Sequence, residues 1–164
     1  MPTLCPEHRQ QIARSPEKAL SLIQQCMHTG KLYHNNRDFT QACHHFSQAL
    51  GISQLLIDLR PLQGNHNYLP LKIAASHNLS ASFSALGKLT QARHVLEELH
   101  ASLIQLCLAP SISRGIRVTA LGALDNSLFS ITSLLGLEGK VDQLYKVISE
   151  TDQAAELAAA QLLH

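Results

Sequence analysis

The sequence lacks tryptophan altogether, and aromatic residues make up only 4% of its 164 residues. Charged side chains are also scarce, at 15%, where a typical globular protein has about 25%. The charges nearly balance, with 13 Lys and Arg against 12 Asp and Glu. Nucleic-acid-binding proteins carry a basic footprint that this balance does not provide. We therefore expect no nucleic-acid partner.

Long apolar runs and targeting signals are also missing. No apolar run reaches the roughly 18 residues that a membrane-spanning helix needs, so no membrane partner is predicted. Residues 1–8 show no basic patch followed by an apolar core, which a secretory signal requires. Disulfides are typical of secreted chains, and the four cysteines are therefore expected to be reduced and mostly buried. Together these observations predict a cytoplasmic protein.

The sequence contains none of the common enzyme signatures. Its glycines are scattered and do not form a phosphate-binding loop. Neither a His-Glu-x-x-His metal motif nor a Gly-x-Ser-x-Gly nucleophile motif occurs. We predict a protein that is not an enzyme and that holds no cofactor.

Histidine is abundant, with 10 residues, and some histidines stand close to cysteines. Three segments combine the two residue types, Cys5-x-x-His8, Cys26-x-His28 and Cys43-His44-His45. Zinc sites use these ligands, but no Cys-x-x-Cys pair is present, and Cys26 and Cys43 fall at positions typical of a helical core. A Cys/His metal- or redox-responsive module stays an alternative, and no metal site is predicted.

Helix-forming residues dominate what is present. Leu, Ala and Gln are common, and apolar residues recur at spacings of three and four, which is typical of amphipathic helices. Six helices are predicted, over residues 15–34, 38–60, 70–86, 89–108, 113–135 and 141–163. Ser15 is predicted to cap the first helix and Asp38 the second. Residues 1–14 are predicted to form a flexible arm, followed by one helical domain over residues 15–164.

A motif recurs along these helices. Its first copy contains Gly30-Lys31-Leu32-Tyr33, Thr40-Gln41-Ala42, Phe46 and Ala49. The second copy contains Ser80, Phe83, Gly87-Lys88-Leu89, Thr90-Gln91-Ala92 and Leu96, and a looser third copy contains Gly139-Lys140-Val141, Leu144 and Ile148. This pattern of small, aromatic and apolar residues resembles the tetratricopeptide repeat. The copies are about 50 residues apart instead of about 34, which implies longer helices or wider loops.

The resemblance implies an all-α fold, a right-handed superhelical array of three antiparallel helix pairs. In that family the first helix of each pair lines a concave groove that binds peptides. Carried over by position, the predicted binding residues are Gln24, Met27, Lys31, His34 and Asn35 in the first pair, His77, Asn78 and Ala81 in the second, and Asn126 and Phe129 in the third. The resemblance therefore predicts a non-catalytic protein- or peptide-binding module, such as an adaptor, a chaperone or a regulator.

The charge distribution supports a second hypothesis for the function. Residues 1–37 hold five basic and two acidic side chains, whereas residues 138–164 hold two basic and five acidic ones. Oppositely charged ends attract each other, and the last predicted helix carries the apolar residues Leu157, Leu162 and Leu163. A self-assembling structural subunit, or a homodimer formed through this helix, is therefore kept as an alternative.

Overall fold

The computed structural model describes residues 15–59 and 68–163, and the regular structure within these ranges is entirely helical. The six helices are α1 (Pro16–Asn35), α2 (Phe39–Leu59), α3 (Leu69–Ala85), α4 (Leu89–Leu108), α5 (Arg114–Leu137) and α6 (Val141–Leu163). This confirms the all-α prediction, and the predicted bounds differ from the observed ones by one or two residues at most. The predicted arm, residues 1–14, lies outside the described residues.

The two predicted helix caps have different outcomes. Asp38 caps α2 as predicted, because its Oδ1 accepts a hydrogen bond from the backbone N–H of Gln41 at 3.2 Å. Ser15 precedes α1, but its side chain makes no capping hydrogen bond. The start of α1 depends instead on Pro16, whose fixed φ suits the first helical position.

The helices form two compact units, with the boundary between Lys88 and Leu89. In unit 1, α2 packs against both α1 and α3. In unit 2, α5 packs against both α4 and α6, and α4 also contacts α6. Each unit has its own fully buried apolar side chains, such as Phe46 and Leu56 in unit 1 and Leu124 and Ile131 in unit 2.

The same turn follows α1, α3 and α5. Its central residue has a positive φ, 62° at Arg37, 71° at Gly87 and 69° at Gly139. In each turn this residue donates to the carbonyl three positions earlier, and the next residue donates to the carbonyl five positions earlier, at distances of 2.9–3.1 Å. This is the Schellman arrangement, which satisfies the last carbonyls of a helix and favours glycine at its left-handed position. The recurring sequence motif therefore marks a recurring turn.

The first copy of the motif also contains a close approach between helices. A Cβ atom added to Gly30 in α1 would lie only 2.7–3.0 Å from the ring of Phe46 in α2. Ala42 and Ala92, the small residues of the first two copies, are completely buried. At Gly30 the small residue of the motif therefore allows α1 and α2 to approach closely.

Helix α5 is long and apolar enough to cross a membrane when judged by length and composition alone. One face of it, however, is buried against α4 and α6. Within this face, the buried Arg117 donates to the carbonyl of Cys107 at 3.0 Å and to Gln161 at 2.8 Å. The buried share of its most apolar 18-residue window is 33%.

Candidate functional site

The predicted binding residues of unit 1 lie on two neighbouring helices. Gln24, Lys31 and Asn35 of α1 are exposed, as is Ala81 of α3. Met27 and His34 of α1, and His77 and Asn78 of α3, are half-buried. We call these eight residues the α1/α3 surface.

A chain of hydrogen bonds joins the two helices of the α1/α3 surface. The Ser82 hydroxyl donates to the carbonyl of Asn78 at 2.9 Å, and Nδ1 of His34 lies 2.9 Å from the same hydroxyl oxygen. Which of the two atoms donates depends on the tautomer of the His34 ring. His34 and Asn78, predicted as separate binding residues, are therefore brought together through Ser82, which the sequence analysis did not single out.

His77 is the unsatisfied member of the α1/α3 surface. Its Nε2 atom is buried and has no hydrogen-bond partner among the described residues. Burial lowers the pKa of the His77 imidazole, because a low-dielectric environment disfavours the charged form. Asn78 beside it donates one amide hydrogen back to the carbonyl of Ala74 at 2.9 Å. The described α1 and α3 contain one carboxylate, Glu17, so this surface is poor in negative charge.

In unit 2 the predicted binding residues Asn126 and Phe129 lie on the exposed side of α5. The Phe129 side chain is 74% exposed, the highest value among the large apolar residues described. Apart from Val118, its neighbours on this side are small or polar. We define the α5 surface as Gly115, Val118, Gly122, Asn126, Phe129, Ser133 and Gly136.

Glycines on the α5 surface were missed by the sequence analysis. A Cβ atom added to Gly115, Gly122 or Gly136 would meet nothing within 4 Å. Packing within the described residues therefore does not require glycine at these positions. The three glycines and Phe129 follow each other at intervals of seven residues. This spacing is visible in the sequence and would have identified them.

The polar groups at the turn between α5 and α6 are paired with each other. Arg93 of α4 donates to Glu97 at 2.6 Å and to Glu138 at 2.7 Å, and Lys140 lies 3.0 Å from Glu138. The hydrogen bonds from Lys140 and Arg93 lower the pKa of Glu138. These contacts link α4 to the turn between α5 and α6.

A second polar group that the sequence analysis missed is buried in unit 2. His100 of α4 is 4% exposed, with Nδ1 2.7 Å from the Ser127 hydroxyl and Nε2 2.8 Å from the Thr151 hydroxyl. It thus joins all three helices of the unit. Burial lowers the pKa of the His100 imidazole. Because a neutral imidazole has only one N–H, one of the two hydroxyls must donate to the ring.

Metal-ligating side chains do not converge in the described part of the chain, where no group of three or more His, Cys, Asp or Glu is suited to a metal ion. Cys26, Cys43 and Cys107 are buried free thiols, and burial raises the pKa of each thiol. A raised pKa disfavours the thiolate that binds metals and attacks disulfides. Cys5 and His8 lie outside the described residues.

The outward side of α6 carries both polar and apolar side chains. Opposite the buried Thr151, Ala154 and Ala158 lie four exposed polar residues, Asp142, Ser149, Gln153 and Glu156. Tyr145 and Leu157 are exposed, but at about 100° per residue they point roughly 120° apart. Val141 is also 55% exposed, and it lies about 40° from Tyr145 around the helix.

Comparison with known proteins gives one family. No curated protein and no solved structure matches the chain. A family model described as "Protein of unknown function (DUF2753)" matches residues 23–164, from the middle of α1 to the end of the sequence. Because this match covers most of the chain and both units, the chain belongs to the DUF2753 family.

Proposed function

We propose that this protein is a non-catalytic module that binds a protein or peptide partner, and that its helices follow the tetratricopeptide arrangement of three antiparallel pairs. The identical turns after α1, α3 and α5 support the repeat. The close approach of α1 and α2 at Gly30 supports it as well. The α1/α3 surface of unit 1 and the α5 surface of unit 2 are the candidate binding surfaces, each within its own unit.

The exposure of Phe129 is the observation that carries the proposal. A phenylalanine in the interior of a helix, 74% exposed, loses the burial that normally stabilises a folded chain. Aromatic side chains are the usual anchors of protein interfaces, where they fill pockets on the partner. The resemblance to the tetratricopeptide repeat also places Phe129 among the residues that line the groove. Two independent criteria therefore point to the same residue.

A photo-reactive phenylalanine derivative tests this proposal when it replaces Phe129 in cells that express the chain. We expect a crosslinked product of defined mass, whose second component mass spectrometry identifies. Tyr145 of α6 provides the matched control, because it is also an exposed aromatic residue on a helix, 68% exposed. Equal capture at both positions, or capture at neither, would contradict the proposal.

The broader roles follow from this binding activity. An adaptor, a chaperone and a regulator all require a non-catalytic binding face, and we propose a role of this type in the cytoplasm.

The α6 alternative remains a separate prediction. If α6 formed the dimer, Leu157→Glu would separate the subunits while leaving crosslinking at position 129 unchanged. The metal-responsive alternative would require stoichiometric zinc in the purified protein.

A further inference from the structure

A buried polar junction connects α6 to the rest of unit 2. Nε2 of His100 in α4 lies 2.8 Å from the Thr151 hydroxyl of α6, and Nδ1 lies 2.7 Å from the Ser127 hydroxyl of α5. The same hydroxyls contact backbone carbonyls, at 2.9 Å from Ser127 and 2.6 Å from Thr151. A neutral ring and two hydroxyls supply only three hydrogens for these four contacts. The junction is therefore short of one hydrogen while the ring is neutral.

Protonation of His100 supplies that hydrogen but also adds a charge. The ring is 4% exposed, and a buried charge without a counter-ion costs more than one recovered hydrogen bond stabilises. Burial accordingly lowers the pKa of His100. The protonated ring is more stable where water can reach it, and this requires a helix of unit 2 to move away.

The side chains that face the ring provide no free counter-ion. On α4, the positions three, four or seven residues from the histidine include Arg93 and Glu97, which pair with each other at 2.6 Å, and Cys107, whose pKa burial raises. Such positions share one face of a helix. The corresponding positions around the two hydroxyl residues of α5 and α6 hold no titratable side chain. Glu150 and Asp152, which flank the hydroxyl residue of α6, are exposed. Within the described residues, the protonated ring thus lacks an unpaired carboxylate beside it.

Helix α6 is the element that can uncover the ring most easily. Among its described side chains, Thr151, Ala154 and Ala158 are buried, and all of these are small. In contrast, α4 and α5 bury large apolar side chains such as Leu99 and Leu124. Stabilisation by burial increases with the apolar area removed from water. Because α4 and α5 also pack against each other, the departure of α6 leaves their pairing in place.

Two further polar contacts hold the end of α6. Arg117 donates to the Gln161 side chain at 2.8 Å, and Arg114 donates to the carbonyl of Leu162 at 3.2 Å. Gln161 is exposed, so water can replace its contact. Arginine and glutamine do not change charge near neutral pH, whereas histidine does. The contact between His100 and Thr151 is therefore the one that responds to pH.

We propose that His100 is a pH-sensitive latch for α6, in which protonation of the ring shifts α6 from a docked to a released position. Local opening of this kind is typical of elements that bury few apolar side chains. Docking is favoured above about pH 6.5 and weakens as the pH falls below this value. Release uncovers the side of α4 and α5 against which Thr151, Ala154 and Ala158 pack. The latch does not depend on the α1/α3 surface or the α5 surface, because these four residues belong to neither.

Hydrogen exchange followed by mass spectrometry tests the latch in the full chain. A single helix of this length is marginally stable in water, so release exposes the amides of α6 to exchange. Because the released ring binds a proton with ordinary affinity, the released fraction should rise about tenfold from pH 7.5 to pH 5.5. After division by the intrinsic exchange rate at each pH, the protection of α6 should fall by this factor. The amides of α4 and α5 should remain more protected than those of α6 at both pH values.

Three variants assign the effect to His100. His100→Gln should make the protection of α6 independent of pH in this range, because glutamine contacts both hydroxyls without titrating. His77→Gln is the matched control, since it removes a histidine of lowered pKa from unit 1 and should leave the tenfold fall unchanged. Thr151→Asp keeps the test decisive if His100→Gln does not fold. Its carboxylate is a counter-ion for the protonated ring, so α6 should not lose protection at pH 5.5.

Several results would overturn the latch. The first is a wild-type protein in which the protection of α6 is the same at pH 7.5 and pH 5.5. The second is a fall in protection that persists in His100→Gln or Thr151→Asp, or one that disappears in His77→Gln, because other groups would then cause it. The third is equal protection of α4, α5 and α6 at each pH, which would mean that α6 leaves only when the whole unit unfolds.

Discussion

At the residue scale, the packing of α1 on α2 depends on the absence of a side chain at Gly30. The Phe46 ring that occupies this space is 1% exposed, so it has little room to move away. We expect Gly30→Ala to lower the free energy of unfolding by about 1–2 kcal/mol, because the cost of overpacking exceeds the gain in helix propensity. Urea unfolding followed by circular dichroism measures the change.

Gly51 provides the matched control for this substitution. It also lies within a helix of unit 1, but an added Cβ would meet nothing within 4 Å. Gly51→Ala should therefore raise the free energy of unfolding, by up to about 1 kcal/mol. If both substitutions stabilised the protein equally, the contact between Gly30 and Phe46 would not limit the packing.

At the scale of the element, the turn after α1 differs from its two counterparts in one residue. Arg37 adopts the left-handed conformation that Gly87 and Gly139 adopt in the other turns. For a residue with a Cβ atom, this conformation costs about 1 kcal/mol. We expect Arg37→Gly to raise the free energy of unfolding by roughly 0.5 kcal/mol, since glycine loses more chain entropy on folding. Thermal unfolding measures the shift.

The reverse substitution has the opposite sign. Gly139→Ala should lower the free energy of unfolding by about 1 kcal/mol, because alanine would have to adopt the same positive φ. Stabilisation by Gly139→Ala, or destabilisation by Arg37→Gly, would contradict the assignment of these residues to equivalent positions.

The elements were predictable because their boundaries depend on local chemistry. Asp38 and Pro70 mark helix starts, and Gly87 and Gly139 mark turns, whatever the helices pack against. The candidate site was predictable only where the repeat pattern reached it, as at Phe129. The link through Ser82 and the buried position of His100 depend on which helices become neighbours. A single sequence without a known packing arrangement does not contain that information in its local pattern.

At the scale of the whole molecule, both units contain histidines that folding keeps neutral. His45 and His77 belong to unit 1 and His100 to unit 2. Burial lowers the pKa of each imidazole, and the neighbouring His44 lowers that of His45 further. The unfolded chain returns each histidine to a pKa near 6.5. Acidification therefore destabilises both units.

The sign of this effect follows from proton binding. Just below pH 6.5 the unfolded chain binds more protons than the folded one, so acidification favours unfolding. The stabilisation is complete above the unfolded pKa and is lost as the pH falls towards the folded one. We expect the free energy of unfolding to be highest between about pH 7 and pH 7.5 and to decrease from about pH 6.5 downwards. It should also decrease above about pH 8, because the thiols ionise in the unfolded chain while burial raises the pKa of Cys26, Cys43 and Cys107 in the folded one. Urea unfolding at a series of pH values measures this curve.

His100→Gln isolates the contribution of the most deeply buried of these histidines. Glutamine has no titratable group, and its amide can both donate to one hydroxyl and accept from the other, at Ser127 and Thr151. The slope below pH 6.5 should decrease by up to one proton, which corresponds to about 1.4 kcal/mol per pH unit. An unchanged slope would mean that His100 takes up its proton without unfolding. A protonated ring donates from both nitrogens, to the hydroxyls of Ser127 and Thr151. Each hydroxyl can then donate its own hydrogen to a backbone carbonyl, at Leu124 and Val147. In that case each of the four hydrogen bonds has a donor.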